Sequence, residues 1–158
     1  MSDFEINAID PARLDAIRAA GQDEEGNELS AHGAHGWEPL RCCLRKASRG
    51  EQVVLISYAP FTARSPWREV GPVFIHAEPC KGYHDTAAVP EDFRVGPRVL
   101  RTYHADGTLD YANITIVPAG EELAPAIADL FDRGVAEIHA RALEPQCFTF
   151  TASRPGRT

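Results

Sequence analysis

The chain has 158 residues, 44% of them hydrophobic and 25% charged, with a formal net charge of −7. That length fits a single domain, residues 1–158, and the balance excludes a disordered tail or a coiled coil. No apolar run approaches the roughly 20 residues that span a bilayer, and the start, MSDFEINAID, lacks a signal peptide's basic and apolar regions, so a soluble cytoplasmic domain is expected.

Phe4 to Ala8 alternates weakly and reads as a short strand. Asp10 then suits an N-cap and Pro11 the first helical position. Leu14 and Ile17 form a narrow apolar stripe, and Gly21 stops the helix. Residues 22–36 read as an acidic, solvated surface loop centred on Asp23, Glu24, Glu25 and Glu28. The net charge resides in residues 1–38, which hold nine acids and two bases, and the remainder balances at fourteen of each. Such a surface repels phosphate backbones, which argues against nucleic acid as a partner.

Trp37 to Lys46 fits either a helix or a strand, and a strand is preferred because Ser48-Arg49-Gly50 looks like a turn into the next run. Glu51 to Tyr58 is apolar on both parities and β-branched, the pattern of a strand covered on both faces. Val73 to Ala77 reads the same way, ended by Pro79. Residues 81–97 read as a loop with one helical turn at Pro90–Phe93. Arg98–His104 and Leu109–Val117 form a hairpin about Ala105-Asp106-Gly107, where Gly107 can take a positive φ. In Glu121–Arg133, Leu123, Ile127, Leu130 and Phe131 share one helical face, and Gly134 closes the helix. Val135–Leu143 and Cys147–Thr151 read as a last strand pair. Strands cluster and do not alternate with helices, which predicts an α+β fold: one mostly antiparallel sheet with two helices packed on it.

The runs Pro39-Leu40-Arg41-Cys42-Cys43-Leu44, Gly50-Glu51, Ser57-Tyr58-Ala59-Pro60-Phe61 and Gly71 through Cys80 resemble the bacterial domain of unknown function 1203 family. Leu100-Arg101-Thr102-Tyr103 and Asp106-Gly107 are also similar. The resemblance implies a stand-alone bacterial domain and transfers no catalytic residue.

The richest chemical segment is His76-Ala77-Glu78-Pro79-Cys80. On a strand, Phe74, His76, Glu78 and Cys80 share a face, so an imidazole, a carboxylate and a thiol make a candidate catalytic set. Residues four apart on a strand are about 13 Å apart, so His76 and Cys80 meet only if Pro79 turns the chain back. The bland reading is a core histidine with satisfied ring nitrogens. The pool for a metal is His32, His35, Cys42, Cys43, His76, Cys80 and His84. Cys42, Cys43, His76 and Cys80 are its weak candidates: without a CxxC pair, spacing favours thiols that merely pack, and no metal or cofactor is expected. Arg41, Tyr58, Phe61 and Trp67 are candidates for lining a pocket for a small anionic or planar ligand. Phosphate-loop and GxSxG motifs are absent. The expectation is a binding module for a small molecule or protein, with no nucleic-acid or membrane partner. The alternative is a small enzyme using His76 with Cys80 or Glu78.

Overall fold

The structure is a computed structural model and describes residues 3–156. Its ordered elements are β1 (Glu5–Asn7), α1 (Pro11–Ala20), β2 (His32–Gly33), β3 (Pro39–Leu40), β4 (Arg45–Lys46), β5 (Gln52–Tyr58), β6 (Gly71–His76), a 3-10 turn (Glu91–Phe93), β7 (Arg98–Tyr103), β8 (Thr115–Val117), α2 (Leu123–Asp132), β9 (Glu137–Ala142) and β10 (Phe148–Ser153). The α+β class holds. The single sheet does not: among the described residues there are two five-stranded sheets, ordered β1-β10-β9-β7-β8 and β2-β5-β6-β3-β4. Periodicity marks which segments are strands and says nothing of which strands pair. The first sheet is antiparallel throughout, and the second is mixed because β3 runs parallel to β6. The chain divides into two compact units: Ala8–Tyr83, and β1 with the chain from His84 onward. None of the helices among the described residues is long and apolar enough to cross a membrane.

In the unit from His84, the apolar stripe of α2 is buried at Leu123, Ile127, Leu130 and Phe131. It belongs to a core with Leu100, Ile138, Ala140, Phe150, Ala152 and Ile6, aligned across the sheet by the pairs Leu100↔Ala140 and Ile138↔Ala152. The turn before β8 forms as expected, with Gly107 at φ +84° and the His104 N–H donating to the Thr108 carbonyl at 2.9 Å.

In the other unit, the Asp10 side chain accepts from the Ala12 N–H, and Gly21 closes α1 in the left-handed region. Leu14 and Ile17 are buried, and the Arg13 guanidinium lies 4.4 Å over the Tyr58 ring. The pairs Val54↔Ile75 and Ile56↔Val73 set one buried face of the second sheet. Coverage of β5 on both faces is found only in part. On the opposite face Val53 is buried but Leu55 is 47% exposed, so that face is only partly covered and hydrophobicity alone overstates the burial.

The segment 22–36 is not a plain solvated loop. It holds β2, which pairs with β5, and Asp23 is buried. The Asp23 carboxylate accepts from the Ser57 N–H at 2.8 Å, the Asn27 N–H at 2.9 Å and the Glu25 N–H at 3.0 Å. Burial works to raise its pKa, but these donors outweigh burial and hold it below the usual carboxylate range. Asp23→Ala strands the Ser57 N–H, so denaturant titration at neutral pH is expected to show a loss of about 2 kcal/mol. A carboxyl whose folded pKa is depressed contributes stability above its unfolded pKa and loses it as pH falls through the folded value. The gap between wild type and variant is therefore expected to narrow below about pH 4.

Candidate metal centre

β3 ends at Leu40, and residues 41–44 turn back into β4. The Leu44 N–H donates to the Leu40 carbonyl at 3.0 Å, and Leu44 itself takes φ +56°. The continuous strand expected over Trp37–Lys46 is thus two two-residue strands around a turn. The difference matters chemically. A strand would send adjacent cysteines to opposite faces. The turn instead places the Cys42 and Cys43 sulfurs 3.9 Å apart.

The Arg41 N–H donates to the Phe74 carbonyl at 2.9 Å, which fixes the turn beside the end of β6. His76 is the last residue of that strand and lies on the face opposite Val73 and Ile75. Its side chain is only 13% exposed, because the cysteine turn and Glu51 cover it. Its Nδ1 lies 3.4 Å from Cys42 Sγ and 3.8 Å from Cys43 Sγ, and its backbone N–H donates to Cys42 Sγ at 3.3 Å. After His76 the strand stops and residues 77–78 bend. Cys80 is thereby brought back, as contact with His76 requires. The ligand atoms of Cys42, Cys43, His76 and Cys80 all lie within 4.8 Å of one another.

A second layer orients the ring. His76 Nε2 is in short contact with Glu51 Oε2. Glu51 in turn accepts from Arg45 Nη1 at 2.9 Å, Arg45 Nη2 at 3.0 Å and the Ser48 N–H at 3.0 Å. With Nε2–H donating to Glu51, the tautomer assigned by this network leaves the Nδ1 lone pair facing the sulfurs. The Arg45 ion pair, and after it the His76 contact, hold the Glu51 carboxyl far below the ordinary carboxylate range. Between the adjacent thiols, the bond from Cys42 lowers Cys43, while that neighbour and then burial push Cys42 up. Partial desolvation by its neighbours also raises Cys80, although the residue itself is exposed. Cys43 is thus the one thiol of the cluster shifted downward, with Arg45 adding to that effect.

These distances have a chemical meaning. Tetrahedral zinc with bonds of about 2.3 Å to sulfur and 2.0–2.1 Å to nitrogen separates two sulfur ligands by about 3.8 Å and a sulfur from a nitrogen by about 3.6 Å. The pairs among Cys42, Cys43 and His76 fall at 3.9, 3.4 and 3.8 Å. All four cysteines are free thiols. Cys42 is buried, Cys43 is half-buried and Cys80 is exposed. Cys43, His76 and Cys80 line an open cleft of about 570 Å³, together with Arg45, Glu78 and Lys81.

The other residues singled out by sequence go elsewhere. Glu78 is exposed on the cleft wall, and Glu51 takes the carboxylate role beside His76. The antiparallel pairing of β5 with β6 was the signal for Glu51, since Val53↔His76 puts the start of β5 beside the end of β6. His32 packs edge-on to Phe74, and His35 pairs with Glu38 at 3.0 Å. Arg41 and Tyr58 are 3% and 8% exposed, so neither offers an open pocket wall. The Arg41 guanidinium is in short contact with the Pro39 carbonyl. Phe61 and Trp67 are half-buried in the segment after β5, where the Phe61 carbonyl accepts from Arg68 at 3.2 Å and the Trp67 N–H donates to Ser65 at 3.2 Å.

Residues 37–154 match the family model described as Protein of unknown function (DUF1203), a span that includes all four cluster residues. No curated protein matches the chain, and no solved structure matches it.

Proposed function

The chain belongs to the DUF1203 family, and we propose that this member is a metal-binding domain whose Cys42, Cys43, His76 and Cys80 hold one zinc ion. The observation that carries the reading is the convergence of three sulfurs and one imidazole nitrogen within 4.8 Å. Three thiolates and an imidazole suit a soft or borderline ion and disfavour magnesium or calcium, which take oxygen ligands. Four protein ligands close the coordination shell, the pattern of a structural site. The ion ties the 77–82 segment to the 41–44 turn, two stretches without helix or strand. The Glu51 contact adds the carboxylate–histidine support that accompanies metal-bound imidazoles. Spacing alone weighed against a metal because no CxxC pair exists; a tight turn with adjacent cysteines supplies the same closeness.

A second reading has one observation in its favour. Cys42, His76 and Glu51 line up as thiol, imidazole and carboxylate, the order of a nucleophilic triad. It is the weaker one because a nucleophile needs a depressed thiol pKa and access, whereas Cys42 is buried and pushed up. Elemental analysis of protein produced in zinc-supplied medium and purified without chelators separates the two. One zinc per chain is expected. Less than about 0.1 per chain, with no uptake on later titration, rejects the metal reading.

A further inference from the structure

The four ligands are not equally protected. Cys42 is buried and does not line the cleft, whereas Cys43 and Cys80 both do. Cys80 is the exposed thiol of the group, and it sits in the 77–82 segment, which has no helix or strand to fix its backbone. Cys42 and Cys43 are neighbours in sequence, so a bond between them would close a strained ring. Cys43 and Cys80 have no such constraint, and their sulfurs lie within 4.8 Å.

We propose that the centre is a redox-releasable one: a hydroperoxide oxidises the exposed Cys80 on the cleft wall, Cys80 then bonds to Cys43, and the zinc leaves. This rests on the metal reading above. The chemistry balances. Coordination to zinc holds Cys80 as a thiolate, which attacks one peroxide oxygen; the O–O bond breaks, and Cys80 becomes a sulfenic acid as hydroxide departs. The Cys43 thiolate attacks that sulfur, the S–S bond forms, and a second hydroxide departs. Two electrons pass from the sulfurs to the peroxide, and two protons convert both hydroxides to water. Only Cys42 and His76 then remain as ligands, too few for a closed zinc shell. A bonded pair requires a sulfur separation of about 2.05 Å, a shift the irregular 77–82 segment can absorb. Cys147, whose sulfur contacts the Pro145 carbonyl at 3.7 Å, is outside the cluster and is the internal control.

The test uses the full chain loaded with zinc, treated with equimolar hydrogen peroxide in the presence of a colorimetric zinc indicator. The expected result is release of one zinc per chain, a mass loss of two hydrogens and a Cys43–Cys80 cross-linked peptide. Cys147→Ser is expected to behave identically, and a dithiol with added zinc is expected to restore the loaded form. Retention of zinc while Cys147 alone oxidises overturns the proposal. So does release with Cys80 carried to sulfinic acid and no cross-link. Failure of untreated protein to hold zinc at all instead overturns the metal reading, so the two failures are distinct.

Discussion

Cys43→Ser is expected to abolish stoichiometric zinc binding and to remove the metal's share of thermal stability. Cys43 carries the lowered thiol of the adjacent pair, and its sulfur is 3.9 Å from Cys42 and 3.8 Å from His76 Nδ1. Serine preserves the volume but supplies a hydroxyl that stays protonated at neutral pH, so one of the anionic ligands is lost. The loss in affinity should exceed the roughly 100-fold ceiling typical of outer-layer partners. Zinc at about 1,000 times its dissociation constant stabilises the folded state by about 4 kcal/mol, which is roughly 10 °C for a chain of this size. Competition against a chromophoric chelator measures the affinity, and thermal melts with and without EDTA measure the linkage. EDTA should lower the wild-type melting point to that of the variant and leave the variant unchanged. Equal melting points for wild type with and without EDTA would count against a resident metal.

Glu51→Ala is expected to weaken zinc binding by about 10–100-fold while leaving the four ligands in place. Glu51 touches no candidate ligand atom; it acts through His76 Nε2 and is itself held by Arg45 and the Ser48 N–H. Its removal frees the ring to turn and to exchange tautomers, so the Nδ1 lone pair no longer points steadily at the sulfurs. Glu51→Gln keeps an acceptor for Nε2–H without the charge and should recover part of the loss. A purely structural role would lower the stability of the metal-free forms to the same extent as the loaded ones. The readout is therefore the difference between loaded and metal-free melting points, which should shrink in the alanine variant and partly return in the glutamine variant.

What the sequence made legible follows from the range of each signal. Local signals were sufficient for both helices: Asp10, Pro11 and Gly21 mark α1, and Leu123, Ile127, Leu130 and Phe131 give α2 its face. They were sufficient for the cores of β5, β6 and β7 as well. They fail for β2, β3 and β4, because two residues carry no period: β2 and β3 exist through pairing with the more distant β5 and β6, and β4 through the turn that folds it onto β3. The second sheet was hidden for the same reason. At the site, residue types were readable and proximity was not. Cys42, Cys43, His76 and Cys80 already stood together as weak metal candidates, yet their convergence depends on Leu44 adopting positive φ and on the bend at 77–78. Neither leaves a glycine as a marker. Glu51 went unassigned because its role depends on the register of β5 against β6.

X-ray absorption at the zinc edge, on protein loaded with one equivalent, tests the centre most directly. A tetrahedral shell of three sulfurs at about 2.3 Å and one imidazole nitrogen at 2.0–2.1 Å is the expected result. A shell of oxygens and nitrogens without sulfur would mean that the ion sits elsewhere and that the cysteine cluster is not its ligand set.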